Sequence, residues 1–339
     1  MAKRDVVIDA LEFRRPAYVP WSWAMTIDCA ERVKEHLGID DLGEFYDDHF
    51  IGFKSSGHVW EDLGNGKVKD IYGVVWDRSI DKDIGTPCDW PIKRPADLDS
   101  YVWPNTVNDE WYAHIPAGIA ASPDLFSSYS VDFSLFERAW TMRGMPDLLM
   151  DMLDRPEFVD DLLDAIVENN LGQIRHALAA GVDAVYFGDD YGMQRGLIMG
   201  IDHWRRFIKP RLARMFAPVR EAGKFATMHS CGCVAELFDE LVEIGLQMFN
   251  PFQPEAMNVF EMMKKYHGRL AFHGGMSIQK VLPFGTAAEV RDMAQRLIGA
   301  GRDGGYVFSP SHAVPRDVPP ENLAAMVEVL KAQPGYAEA

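Results

Sequence analysis

Beyond about residue 125 the chain repeats one pattern, a short apolar run followed by a longer stretch with apolar residues at helical spacing. Ala184-Val185-Tyr186-Phe187 reads as a strand opening into Gly188-Asp189-Asp190-Tyr191-Gly192, and a helix is predicted over 202–222. Further strands are predicted over 224–229, 246–250, 270–275 and 305–309, with helices over 234–244, 256–267 and 286–300 and a last helix over 320–330. Upstream, 135–140 and 146–153 read as helices, the second with proline in its first turn, and a long helix runs from 156 to about 180, ending at Gly181. Consecutive strand-then-helix units at roughly 25–45-residue spacing require a parallel sheet.

The first third is less regular. Residues 5–14 suggest a helix. The run 19–23 suggests a first strand with Trp21 and Trp23 on one face, and 30–37 an amphipathic helix closed by Gly38. Between 43 and 105 the pattern is mixed. His58-Val59-Trp60 and the run 68–76 look like hairpin strands divided by Gly64-Asn65-Gly66. The expectation is a single barrel domain over 1–339, with 43–105 as a tryptophan-rich insertion or lid of short antiparallel strands.

An open doubly wound sheet and a (β/α)8 barrel both fit these units. No Gly-x-Gly-x-x-Gly follows the first strand, which removes the dinucleotide fingerprint. The later strands end in polar residues, and barrel active sites are built at C-terminal strand ends. The barrel is therefore the expected fold.

Composition narrows the partners. The 339 residues carry a net charge of -17, which argues against nucleic acid and anionic membrane as partners. Four scattered cysteines form no disulfide framework and suit a reducing cytoplasm. The start, Met1-Ala2-Lys3-Arg4-Asp5, shows no signal-peptide core, and no run approaches the ~18 apolar residues of a membrane span.

The chemistry concentrates at Thr227-Met228-His229-Ser230-Cys231-Gly232-Cys233. His229 and Cys231 share one side of an extended chain, which places an imidazole and a thiol together at a strand end. A later strand-then-loop segment delivers His312. The three would give zinc two nitrogens and one sulfur with a fourth position open, as in a catalytic site. Cys233 is a rival ligand, with packing in the helix start as the plainer role. Asp189 and Asp190 are candidates for general acid or base; a helix cap or loop ion pair is expected of at least one. His273, before two glycines, is a further catalytic candidate. Gln194, Asn250 and Gln253 are plausible hydrogen-bonding groups to substrate, Trp21 and Trp23 could line the pocket, and Arg143 could bind a carboxylate.

At this point the chain resembles the uroporphyrinogen decarboxylase superfamily, which contains tetrapyrrole decarboxylases and zinc-dependent, corrinoid-linked methyltransferases. The resemblance rests on Arg143-Gly144, Gly181-Val182-Asp183-Ala184 leading to Gly188-Asp189-Asp190, Ile208-Lys209-Pro210-Arg211, His229-Ser230-Cys231-Gly232, Asn250-Pro251-Phe252-Gln253 and Pro319-Pro320-Glu321-Asn322. It implies a (β/α)8 barrel. The tetrapyrrole decarboxylases carry an arginine-rich loop after the first strand; here that stretch is Trp21-Ser22-Trp23-Ala24-Met25-Thr26, without arginine. The methyltransferase branch carries His-x-Cys and a distant cysteine on zinc. His229 and Cys231 match, whereas His312 stands where the distant cysteine is expected, which weakens thiol activation. The resemblance thus implies zinc-dependent demethylation of a small methylated substrate, with the methyl passed to a separate corrinoid protein or another acceptor. A decarboxylase of a small aromatic or pyrrolic acid and a non-catalytic ligand-binding barrel are the alternatives. The expected partners are a small-molecule substrate, a corrinoid protein and a second copy of the chain in a homodimer.

Overall fold

A computed structural model describes residues 1–336. Its main sheet runs β1 (Phe50–Phe53), β6 (Phe126–Val131), β7 (Ala184–Gly188), β10 (Phe225–His229), β11 (Met248–Asn250), β12 (Ala271–Met276) and β13 (Tyr306–Pro310), every neighbour parallel. The segment 20–22 bridges the two edges. Phe308 donates its backbone N–H to Pro20 O (2.8 Å) and Ser22 donates to Phe308 O (3.2 Å); on the other side His49 donates to Trp21 O (3.2 Å). With that eighth segment the sheet closes into the expected (β/α)8 barrel.

The alternation along the strands explains both the core and the cavity. Outward positions such as Tyr129, Val185, Phe187, Met228, Phe249, Phe272 and Phe308 are fully buried, those on the central strands under the surrounding helices. Inward positions near the C-terminal strand ends are polar: Ser128 and Ser130 on β6, Tyr186 on β7, Thr227 and His229 on β10, Asn250 on β11 and His273 on β12. The opposite end is closed. The helix Lys3–Leu11 lays Val7 and Leu11 against Phe126, Ala184, Met248, Ala271 and Val307, so the barrel is plugged below and hollow above.

The insertion needs one correction. β1 lies inside the 43–105 range but belongs to the barrel. What remains is a four-stranded antiparallel sheet: β2 (Glu61–Gly64), β3 (Lys67–Lys69), β4 (Val75–Asp77) and β5 (Thr86–Asp89). The turn at Asn65 and Gly66 has positive φ at both residues (52° and 74°), as a tight hairpin requires. The expected long strand 68–76 is broken because the Asp70 carboxylate accepts the N–H of Tyr72 and of Val74, folding 70–73 into a turn. A two-residue pair, β8 (Gly192–Met193) and β9 (Gly196–Leu197), forms a strap after β7. All four cysteines are free, and among the described residues no helix is long and apolar enough to cross a membrane.

His49, at the barrel seam, makes one stability prediction. Its ring is fully buried, 4.3 Å from the Trp21 ring centroid, with Nε2 3.0 Å from the Tyr18 hydroxyl. Burial lowers its pKa from the ordinary 6.5 to about 3. The unfolded chain therefore takes up a proton that the folded chain refuses. This contribution is complete above pH 6.5 and shrinks as pH falls towards 3, by about 1.4 kcal/mol per unit. Urea unfolding should show about 2 kcal/mol lost to this residue between pH 7 and 5, and His49→Gln should flatten the profile by one proton's worth. A profile unchanged by that substitution would contradict the assignment.

Candidate active site

β10 ends at His229 and the chain turns at once through Ser230-Cys231-Gly232. Gly232 has φ 84°, and a Cβ there would lie 2.4 Å from the backbone of Gly192. The reciprocal Cβ on Gly192 would lie 2.6 Å from Cys231 O. Two glycines thus let the strap 189–194 cross the Cys231 loop backbone to backbone, and Cys233 N–H closes the crossing on Met193 O at 2.8 Å.

This pins the thiol beside the imidazole. Cys231 Sγ is 3.3 Å from His229 Nε2. His312, on the loop after β13, brings its ring centroid to 5.5 Å from that of His229. One ligand atom from each of His229, Cys231 and His312 falls within 4.8 Å of the other two. A tetrahedral zinc with bonds of about 2.0–2.3 Å holds its ligand atoms roughly 3.3–3.8 Å apart, so rotamer-scale closure completes the set.

The outer shell suits a metal. Asn250 Oδ1 accepts from Tyr186 O–H (3.1 Å) and lies 2.7 Å from His229 Nδ1, while Asn250 Nδ2 donates to His273 O (3.0 Å). These contacts orient the amide, make His229 Nδ1 the protonated nitrogen and leave the Nε2 lone pair facing Cys231. Desolvation pushes the Cys231 thiol well above its ordinary range, and Asp190 and Glu137 add to that. A divalent cation reverses that balance, since it binds the thiolate. Burial, and then the neighbouring His229 imidazole, holds His312 below the usual imidazole range although its ring faces the open cavity. It is therefore neutral, the ligating form, at pH 7.

The triad opens into a cavity of about 770 Å³ bounded by the upper barrel and the lid. Asp190 lines it; its Oδ1 accepts Cys231 N–H (2.7 Å) and lies 3.6 Å from His229 Nε2. Asp189, its neighbour, does not. Fully buried, it accepts from Phe136 N (2.9 Å), Glu137 N (2.7 Å) and Tyr191 O–H (2.6 Å), capping the helix Phe136–Arg143. Burial raises it to about 7 against those three donors. His273 lines the cavity, with Nε2 2.8 Å from Ser22 O and its ring stacked on Phe50; burial lowers it to about 4.

The other expected residues are distributed differently. Trp23 lines the cavity, but Trp21 packs outside the barrel on Tyr18, His49 and Tyr336. Gln253 Oε1 holds the turn by accepting Gly232 N–H at 2.6 Å. Gln194 is exposed on the strap, donating to Glu255 O. Arg143 is away from the cavity: buried, it binds Asp151 (2.8 Å), Asp147 (2.9 Å) and Lys93 O (2.8 Å). Several cavity residues escaped the sequence reading, Glu137 and Arg78 among them. Glu137, at the start of the capped helix, has its carboxyl raised well above its ordinary value by burial and then by Asp190 and Asp189. Arg78 reaches in from the lid. An acidic first turn and a loop arginine are both ordinary in sequence, and neither carries a signal. A second cavity of about 640 Å³, between 15–19 and the helices Ala287–Gly301 and Pro320–Lys331, contains none of the expected residues.

A family model described as "Uroporphyrinogen decarboxylase (URO-D)" matches residues 133–333. Uroporphyrinogen decarboxylase of Geobacillus kaustophilus is 25% identical over 214 residues, covering 63% of this chain and 57% of its own length. That of Serratia proteamaculans is 25% identical over 248 residues, covering 68% and 62%. That of Syntrophotalea carbinolica is 24% identical over 185 residues, covering 53% and 50%. The chain thus spans between half and just under two thirds of these curated relatives. A solved methyltransferase from Methanosarcina mazei superposes with a TM-score of 0.71 over 98% of both chains at 14% identity. At that identity the likeness is one of fold.

Proposed function

The chain belongs to the uroporphyrinogen decarboxylase family, and from that premise we propose a zinc-dependent methyltransferase that demethylates a small substrate and passes the methyl group to a separate corrinoid protein or another acceptor. The observation that carries the reading is the triad: His229, Cys231 and His312 converge from two segments some eighty residues apart. Bound there, zinc would supply Lewis-acid polarisation of the atom that carries the methyl group.

The protein's own residues do the rest. Asn250 fixes the His229 tautomer, and Asp190 fixes the Cys231 loop through its backbone N–H. The lid and the helix carrying Glu137 form one wall of the cavity beside the triad. Asp190 and Glu137 are the carboxyl groups beside the triad that can exchange a proton with the demethylated heteroatom, whose lone pair must be protonated once the methyl has left.

A second reading, decarboxylation of a small aromatic or pyrrolic acid, draws on the relatives being uroporphyrinogen decarboxylases and on those same two carboxyl groups. The test is a turnover assay of zinc-loaded protein with a panel of small methyl ethers, thioethers and amines and free cob(I)alamin as acceptor. The expected result is methylcobalamin, read from its visible spectrum, abolished by chelation and by Cys231→Ser. Carbon dioxide release from a panel of aromatic acids without any methylcobalamin would overturn methyl transfer in favour of the second reading.

A further inference from the structure

We propose that Arg78 is a substrate anchor, carried on the lid, that holds the carboxylate of a small organic acid in the cavity above the His229–Cys231–His312 triad. The inference deepens the reading of that cavity as the substrate site but does not depend on the metal.

It starts from which polar groups on the wall still lack a partner. Each aspartate on the wall already accepts at least one protein donor. Asp132 pairs with Lys54, Asp190 accepts Cys231 N–H, Asp48 accepts Phe50 N–H, and Asp83 accepts Ile27 N–H at 3.3 Å. Burial, and then the charges of Asp190 and Asp189, raise the Glu137 carboxyl well above its ordinary value. Arg78 is the cation on the wall without a carboxylate partner. Arg78 uses Nε on Ile84 O (3.1 Å), and its guanidinium lies 4.1 Å from the centroid of Trp60. Among the described residues no carboxylate lies within ion-pair distance of it, and its two Nη groups, on a half-buried side chain, have no protein acceptor. Independently, Trp23 is only 6% exposed, lines the same cavity, and its Nε1–H is buried without a partner.

A guanidinium on the cavity wall with no carboxylate partner is matched by a ligand that brings acceptors. Stacking on Trp60 and the bond to Ile84 hold the guanidinium plane, and the free edge matches a carboxylate bidentately. The intervening wall, with Trp23, Trp60, Phe133 and Ile84, suits a flat apolar body. Arg78, and not the buried Arg143, is therefore the arginine positioned for the role that an acidic substrate needs.

The experiment titrates zinc-loaded and chelator-treated protein with benzoate and with its neutral near-isostere benzamide, followed by tryptophan fluorescence. Wild type should bind benzoate at least about tenfold more tightly than benzamide. Arg78→Gln should abolish that preference, and Arg78→Lys should restore part of it, with circular dichroism unchanged in both. Equal affinities in wild type, or a preference that survives in Arg78→Gln, overturns the anchor. Loss of the preference on chelation alone places the carboxylate on the metal and also overturns it. If the protein takes up no zinc while Arg78→Gln still abolishes the preference, the anchor stands and the methyltransferase reading fails.

Discussion

His229→Ala is expected to purify with almost no zinc, and the wild-type chain with about one ion per molecule. The magnitude follows from the ligand count. Three protein groups meet here, so removing one leaves two, and a two-ligand site in water does not compete for zinc at cellular concentrations. Cys231→Ser and His312→Ala should do the same. Asn250→Ala touches only the outer shell. It frees the His229 ring to choose its tautomer, and a loss of roughly ten- to a hundredfold in affinity is expected. The graded series separates a metal site from a structural histidine, which would show its effect in unfolding and not in metal content. The measurement is elemental analysis after dialysis against a competing chelator. Stoichiometric zinc in His229→Ala, or none in wild type, would end the metal assignment.

The triad was legible in the sequence because its signal is local at one end and periodic at the other. His229 and Cys231 sit at a spacing of two after an apolar run, and His312 follows a second run of the same kind. The same grammar made β7, β10, β11, β12 and β13 readable: buried parallel strands are continuous apolar runs. β6 carries no such run. Its sequence Phe126-Ser127-Ser128-Tyr129-Ser130-Val131 places serines on the cavity side, so half its positions look like loop. β1 is four residues long and was absorbed into the lid for want of length. Trp21 and Trp23 share a face only if the strand persists. Here the ladder touches the chain at Trp21 and again at Met25, with no pairing between, so one tryptophan goes outward and the other lines the cavity. Asp189 and Asp190 were inseparable by sequence. A helix start more than fifty residues upstream chose between them by offering two unpaired N–H groups to the first. Contacts of that kind are made by tertiary packing, and no local pattern announces them.

Arg143 shows the same limit with a larger energetic consequence. Arg143→Ala is expected to destabilise the fold by roughly 3–5 kcal/mol, the range for removing one partner of a buried pair. The reason lies in Asp151, whose side chain is 1% exposed and whose Oδ2 rests on Arg143 Nε at 2.8 Å. Without the guanidinium that carboxylate stays buried with Arg155 alone, a side chain 56% exposed and therefore weakly held. The loss also frees Lys93 O and Asp147, which together tie the foot of the lid to the helix Met145–Asp154. Arg143→Lys should recover only part of this, since one ammonium cannot reach three acceptors set for a planar fork. Urea unfolding at pH 7 provides the measurement. A lid loosened at its foot would also weaken ligand binding, so affinity must be compared at a denaturant-free temperature well below the variant's midpoint. Under those conditions a structural Arg143 leaves the benzoate-over-benzamide preference intact, because that preference belongs to Arg78. Unchanged stability together with a lost preference would return Arg143 to the substrate and require the lid to rearrange around it.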